Sequence, residues 1–149
     1  MSVLQRFYGA FAARDASTMA ACYADDARFN DPAFGDLNAA EVRAMWKMLV
    51  GRSEDLRVKF KVREENERYG VCEWHAHYTF TSTGRKVHNI IHSEFVLYDG
   101  LILVQHDHFD FWRWSRQALG PMGLVLGWSP MLQGKVRRKA RAALERAMR

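Results

Sequence analysis

The stretch YGVCEWHAHYTFTSTGRKVHNIIHSEFVLYDGLILVQHDHFDF, residues 69–111, decides the fold. Cys72, Trp74, Ala76, Tyr78 and Phe80 recur at every second residue, the period of a strand with one buried face. Thr83-Gly84 and Asp99-Gly100 are turn signals between apolar runs, so three consecutive strands form an antiparallel meander. Just upstream, Leu56, Val58, Phe60 and Val62 alternate with Arg57, Lys59, Lys61 and Arg63, which adds a half-exposed strand.

Ahead of the sheet the period is helical. Leu4, Phe7, Tyr8 and Phe11 fall on one face of a helix ending near Asp15, which is placed to cap a second short helix carrying Met19, Cys22 and Tyr23. A strand at 27–31 follows. Asn38 and Glu41 make a capping box for a third helix, expected to run to about Leu49 and to stop at Gly51. After the sheet, WRWSRQALG reads as a helical turn or two closing on Gly120. Val136, Ala140, Ala143, Leu144 and Ala147 then stripe a basic C-terminal helix. Helices followed by one meander specify an α+β fold. We expect a cone-shaped α+β barrel: three N-terminal helices packed on a curved antiparallel sheet, with an extra C-terminal helix. The cone domain is expected over residues 1–120, and a Gly/Pro linker with the basic helix over 121–149.

The chain has 149 residues, 48% hydrophobic and 26% charged, as expected of one globular domain that needs no metal or disulfide staple. Its net charge of +5 is unevenly placed. Residues 135–149 hold seven Lys/Arg and one Glu, which leaves residues 1–134 nearly neutral. A nucleic-acid-binding body is therefore not expected. Two cysteines, Cys22 and Cys72, form no framework and suit the reduced thiols of a cytoplasmic protein. The N-terminus has polar residues too early for a secretory segment, and the apolar stretch at 119–132 is too short and too broken by Gly and Pro to span a membrane.

Strand register assigns faces. With a two-residue turn at Thr83-Gly84, Tyr78 opposes Asn89, Ala76 opposes Ile91 and Trp74 opposes Ser93 on an aromatic, pocket-forming face. The opposite face then pairs Glu73 with Glu94, His75 with His92 and Thr79 with His88. Asp99-Gly100 allows two registers. A three-residue loop from Tyr98 to Gly100 puts Gln105, Asp107 and Phe109 in the pocket and all six histidines outside. A two-residue turn puts His106, His108 and Asp110 there instead. The first is preferred, because Phe109 and Phe111 then join the apolar face.

The opening VLQRFYGAFAARDASTMAACYADDARFNDPAFG, residues 3–35, together with GRKVHNIIHSEF, resembles the ketosteroid isomerases of the nuclear transport factor 2-like superfamily. The ending HDHFDFW…RQALG looks more like that superfamily's SnoaL-like polyketide cyclase branch, and the resemblance covers about residues 3–120. It implies that Asp31 holds the place of the isomerase base. Phe7 stands where the isomerases have an oxyanion tyrosine, and Ser93 where they have a protonated aspartic acid. Tyr8 is adjacent, but one helical step turns it about 100° away. With two of the three catalytic groups missing, the steroid-isomerase mechanism is not expected.

Asp31 reads in two ways. Asp-Pro-x-x-Gly is good turn chemistry, and a carboxylate facing an apolar cone is a good base because desolvation raises its pKa. Asp107 is the second candidate acid/base group. Phe7, Trp74, Tyr78 and Phe109 are candidate substrate walls, and Asn89 and Ser93 candidate donors to a substrate oxygen. The pairs His75-x-His77 and His106-x-His108 suggest a metal, but zinc needs three or four converging ligands and a sheet face spreads them. We expect no metal and no cofactor, and a histidine-rich outer face that packs against a second subunit in a homodimer. In GWSP, residues 127–130, Trp128 is expected to anchor a hinge, and the basic helix to be a solvated accessory. Two functions stay open: a cofactor-free isomerase or cyclase acting on a small hydrophobic carbonyl compound, and a non-catalytic ligand-binding or protein-interaction module.

Overall fold

The computed structural model describes residues 2–149. Two short helices, α1 (Val3–Ala12) and α2 (Ala16–Ala21), lead into β1 (Tyr23–Asp31), β2 (Gly35–Asn38) and helix α3 (Ala39–Arg52). The meander follows as β3 (Arg57–Glu65), β4 (Tyr69–Phe80), β5 (Arg85–Tyr98) and β6 (Leu101–His108), and three helices close the chain: α4 (Phe111–Leu119), α5 (Pro121–Leu126) and α6 (Pro130–Met148). The strands make one curved sheet in the order β2-β1-β6-β5-β4-β3, antiparallel except where β1 runs parallel to β6. This is the α+β cone that the sequence pattern calls for.

Local chemistry sets the element ends. Asp15 caps α2 by accepting from the Thr18 N–H, and both halves of the Asn38–Glu41 capping box form at 2.9 Å. Gly51 does not stop α3, which continues to Arg52. Arg14 reaches across to donate to the Val50 and Ser53 carbonyls, so the last turn is held from outside despite the glycine. Tyr23 belongs to β1 rather than α2, because the Ile102 N–H takes the Cys22 carbonyl and starts the strand early.

Both hairpins depart from the expected register. Between β4 and β5 the loop is four residues, with Gly84 at φ 71°, so Trp74 pairs with Ile91, Ala76 with Asn89 and Cys72 with Ser93. The slip is two residues, an even number, so every side chain keeps its face. Across the outer face Glu73 now opposes His92 rather than Glu94, and His77 rather than Thr79 opposes His88. The Glu73 carboxylate takes Arg63 at 3.0 Å, which lowers its pKa. Between β5 and β6 the turn is the two-residue one, with Asp99 (φ 52°) and Gly100 (φ 74°) both left-handed and Tyr98 paired to Leu101. Leu103 then bulges: Leu97 pairs with Ile102, but Val96 pairs with Val104. The extra residue restores the parity of the longer loop, so Gln105 and Asp107 point inward and His106 and His108 outward.

The core lies between the inner sheet face and α1 and α3. Phe7, Tyr8 and Phe11 enter the cone together with Trp46 from α3, and all four are at most 3% exposed. A second, smaller cluster joins Val87 to Trp114 and Ala118 of α4, bordered by Tyr78, Phe80 and Phe109. The C-terminal helix is docked rather than solvated. Leu132, Ala143 and Leu144 are buried, Arg141 donates to the Phe34 and Asp36 carbonyls, and Arg137 donates to the Pro32 carbonyl. Trp128 anchors nothing inside: it is 73% exposed. Among the described residues no helix is long and apolar enough to cross a membrane.

Candidate functional site

Ser93 on β5 and Asp107 on β6 are register partners on the inner face, and Phe29 of β1 pairs with Gln105. Continuing that parallel register brings Asp31, at the end of β1, level with Asp107 on the same face. The fold thus sets two carboxyls on neighbouring strands, as a parallel pair and a correctly phased bulge require.

Asp107 is the end point of two converging hydrogen-bond chains. From one side Trp74 Nε1 donates to Ser93 Oγ (2.8 Å), and Ser93 Oγ donates to Asp107 Oδ1 (2.6 Å). From the other, Trp46 Nε1 donates to Tyr23 Oη (2.8 Å), Tyr23 donates to Gln105 Oε1, and Gln105 Nε2 donates to the same Asp107 Oδ1 (2.9 Å). Every donor along these chains points toward one oxygen, the arrangement in which successive bonds polarise one another. Burial nevertheless dominates. It pushes the Asp107 carboxyl up to about 7 against the two hydrogen bonds that favour its charged form, and the neighbouring Asp31 adds to the rise.

Asp31 has the turn role and the desolvated environment at once. Its Oδ1 accepts from the Ala33 and Phe34 N–H groups, closing the turn that its Asp-Pro sequence suggests. Burial pushes its carboxyl up to about 6, opposed by those amides and by Arg137 reaching over from α6. The two carboxyls sit in one low-dielectric space where the second charge is harder to create than the first.

The remaining residues singled out in the sequence divide into groups. Trp74 and Ser93 belong to the Asp107 network. Asn89, 8% exposed, pairs with Ala76 two residues along β5 from Ile91. Tyr78 accepts from Trp114 Nε1 (2.8 Å), and it and the half-buried Phe109 pack against the Val87, Trp114 and Ala118 cluster under α4. Phe7 packs edge-on to Tyr23 and Trp46 at 5.5 and 5.9 Å between centroids. Tyr8, set aside by the 100° argument, is the one that faces the network. The sheet curls around α1, so two successive helix positions both meet it: Tyr8 stacks on Phe60 (5.4 Å) and tilts against Trp74 (5.9 Å). Its hydroxyl is buried close to Ser93, Cys72 and Asp107, with none of them aligned as a hydrogen-bond partner. Burial raises the phenol well above its ordinary pKa, so it stays a donor.

Sequence reasoning gave no role to Trp46, Tyr23 or Arg137. The first two carry the longer chain to Asp107, and the third holds the Asp31 turn. Trp46 had a signal, being at i+4 from the core-facing Val42. Arg137 had none, because it acts across about a hundred residues. On the outer face, His75 Nδ1 lies 2.8 Å from His88 Nε2 and His77 stacks on His88 at 4.1 Å. Beside them an open groove of about 590 Å³ runs between Leu56, Tyr78, Val87 and Gln117.

Solved structures share this fold at low sequence identity. One is a candidate polyketide cyclase from Silicibacter sp. TM1040, 18% identical, with a TM-score of 0.68 over 78% of this chain and 92% of that one. Another is an LEH-like epoxide hydrolase of M. tuberculosis, 19% identical, with a TM-score of 0.62 over 83% and 92%. A third is a hypothetical protein with a ketosteroid isomerase-like fold from Catenulispora acidiphila, in complex with trimethylamine; it is 12% identical, with a TM-score of 0.68 over 86% and 97%. No curated protein matches the chain in sequence. The sequence model of the SnoaL-like domain matches residues 4–105, from α1 to the middle of β6. With two-thirds of its length in that match and a cone shared with these neighbours, the chain belongs to the SnoaL-like domain family of the nuclear transport factor 2-like superfamily.

Proposed function

We propose that the protein is a cofactor-independent acid/base enzyme of the isomerase or cyclase kind, acting on a hydrophobic carbonyl compound. The observation that carries this reading is the pair of inward carboxyls, one pushed up to about 6 and the other to about 7. Between these values Asp31 is the ionised partner that takes a proton, and Asp107 is the protonated partner that gives one. Ser93 and Gln105 fix the Asp107 carboxyl, and Tyr8 is the donor for an oxygen that gains charge during the reaction. Trp74, Tyr78 and Phe109 supply apolar walls, and Asn89 a further donor to the substrate oxygen. The candidate polyketide cyclase among the neighbours supports the reaction class.

The test is α-proton exchange in deuterated buffer on a panel of hydrophobic enolisable ketones, followed by NMR. The rate rises through pH 6 and falls above pH 7, and Asp31→Asn or Asp107→Asn each lowers it at least a hundredfold with the fold intact. An enzyme indifferent to both substitutions, or no exchange on any ketone, overturns the reading.

A second reading, a non-catalytic interaction module, is favoured by one observation: the rings of Phe7, Tyr8 and Phe11 fill the cone beneath the sheet. A ligand bound equally well by wild type and Asp107→Asn, and never converted, is its expected result. For either reading we place a homodimer contact on the histidine-bearing outer face. Light scattering giving a monomer at assay concentration removes that contact.

A further inference from the structure

The last third of the chain carries an exposed surface that neither reading uses. Trp128 is 73% exposed, Met131 71% and Val125 63%, with Met122, Leu124 and Trp112 exposed beside them. Monomeric surfaces scatter single apolar residues, but six large ones within twenty residues form a patch. Its polar atoms are already satisfied. Trp128 Nε1 donates to the Val125 carbonyl, and Trp112 Nε1 donates to the Leu124 carbonyl. Both indoles therefore present apolar ring surface with no unmet donor.

Charge within this segment has one sign, between Asp110 and Glu145. Residues 111–144 contain seven Lys/Arg and no Asp or Glu. Arg137 and Arg141 turn inward to backbone carbonyls, but Lys135, Arg138 and Lys139 are exposed. Met131, Lys135 and Arg138 are spaced i, i+4, i+7 along α6, so the apolar tip and the cations share one helix face. On the other side of Trp112, Arg116 lies 4.0 Å over its ring. Arg116 also lines a groove of about 600 Å³ with Arg85, Lys86, Arg113 and Gln117, a lining of four cations with no carboxylate. Its Nε is buried without a partner.

We propose that this face docks on an anionic lipid membrane. The α5 turn, Trp128 and Met131 form an apolar wedge at the headgroup boundary, and the groove around Arg113 and Arg116 takes lipid phosphates. The arrangement is that of interfacial amphipathic segments: aromatic and aliphatic residues at the tip, cations flanking them, and too little length to span.

Flotation of the full chain with phosphatidylcholine vesicles, with and without phosphatidylglycerol, tests this. Wild type floats with the anionic vesicles and about tenfold less with the neutral ones. Leu124→Asp/Val125→Asp and Lys135→Glu/Arg138→Glu each reduce the bound fraction about tenfold, and circular dichroism shows unchanged folding. Brominated acyl chains quench tryptophan emission, and Trp128→Phe removes most of that quenching. Several results overturn the proposal. One is binding without dependence on phosphatidylglycerol, and another is variants that float like wild type. Flotation without quenching would leave adsorption by charge alone. A wild-type oligomer that Val125→Asp splits, with no vesicle binding, would give the patch to a second copy of the chain. Inorganic phosphate bound in the groove, with no vesicle binding, would make it a site for free anions.

Discussion

At Asp107 the buried network has a thermodynamic consequence that can be measured without a substrate. An aspartate in the unfolded chain titrates near 3.9, whereas Asp31 and Asp107 are pushed up to about 6 and 7 in the fold. Between those values the folded state holds more protons than the unfolded one, so stability falls as pH rises from about 4 to 7. Replacing Asp107 with Asn removes its share of that slope. We expect the variant to lose little at pH 4.5 and to be more stable than wild type at pH 8, by about 1–4 kcal/mol at 1.36 kcal/mol per pKa unit. Urea melts at both pH values check this; a variant with the wild-type slope would mean that Asp107 is not held protonated. Much of the residue-level picture was legible in the sequence. Asp31 stood out through its Asp-Pro turn, but Asp107 was reached through a three-residue loop the protein does not have, and it faces inward only because the Leu103 bulge restores that phase. Tyr8 was not legible, because the helical-wheel argument assumes a flat partner and this sheet wraps around α1.

Among the elements, the α4–α5 corner is the least tolerant of added volume. A Cβ on Gly123 would meet the Ser115 carbonyl group and, at 2.8 Å, the Arg116 backbone nitrogen, none of which can move aside cheaply. Gly123→Ala is expected to cost about 1–3 kcal/mol. Gly134→Ala, whose nearest neighbour is the far end of the Arg138 side chain at 3.6 Å, is expected to gain about 0.5–1 kcal/mol from helix propensity alone. Thermal melts of the pair check both signs. Most helices and strands were readable from periodicity and caps, but α5 lies in the stretch read as a Gly/Pro linker, where its prolines and glycines masked it. What escaped was set at a distance: β2, four residues long, exists because β1 offers it an edge, and α3 outruns Gly51 because Arg14 takes its last carbonyls. The docking of α6 belongs to the same class, since its arginines bond to the β1–β2 turn.

Taken as a whole molecule, the cone turns one chemistry inward and another outward: carboxyls, serine and phenols inside, imidazoles outside. Which set faces which way depends on a single uncharged residue. Leu103 pairs with nothing across the β5–β6 hairpin, yet it sets the phase of everything after it. It acts as a frame marker does in a message. Deleting it would leave the composition almost unchanged while moving His106 and His108 into the core and Asp107 into water. We expect that deletion to abolish folding, where Leu103→Ala keeps the phase and costs only about the packing of a half-buried side chain. Circular dichroism of the two variants separates these outcomes. In this fold an insertion or deletion next to the bulge is therefore a larger event than any exchange of a catalytic candidate. Relatives that keep an inward carboxyl on β6 must keep the residue count between turn and carboxyl odd or even together with the turn itself.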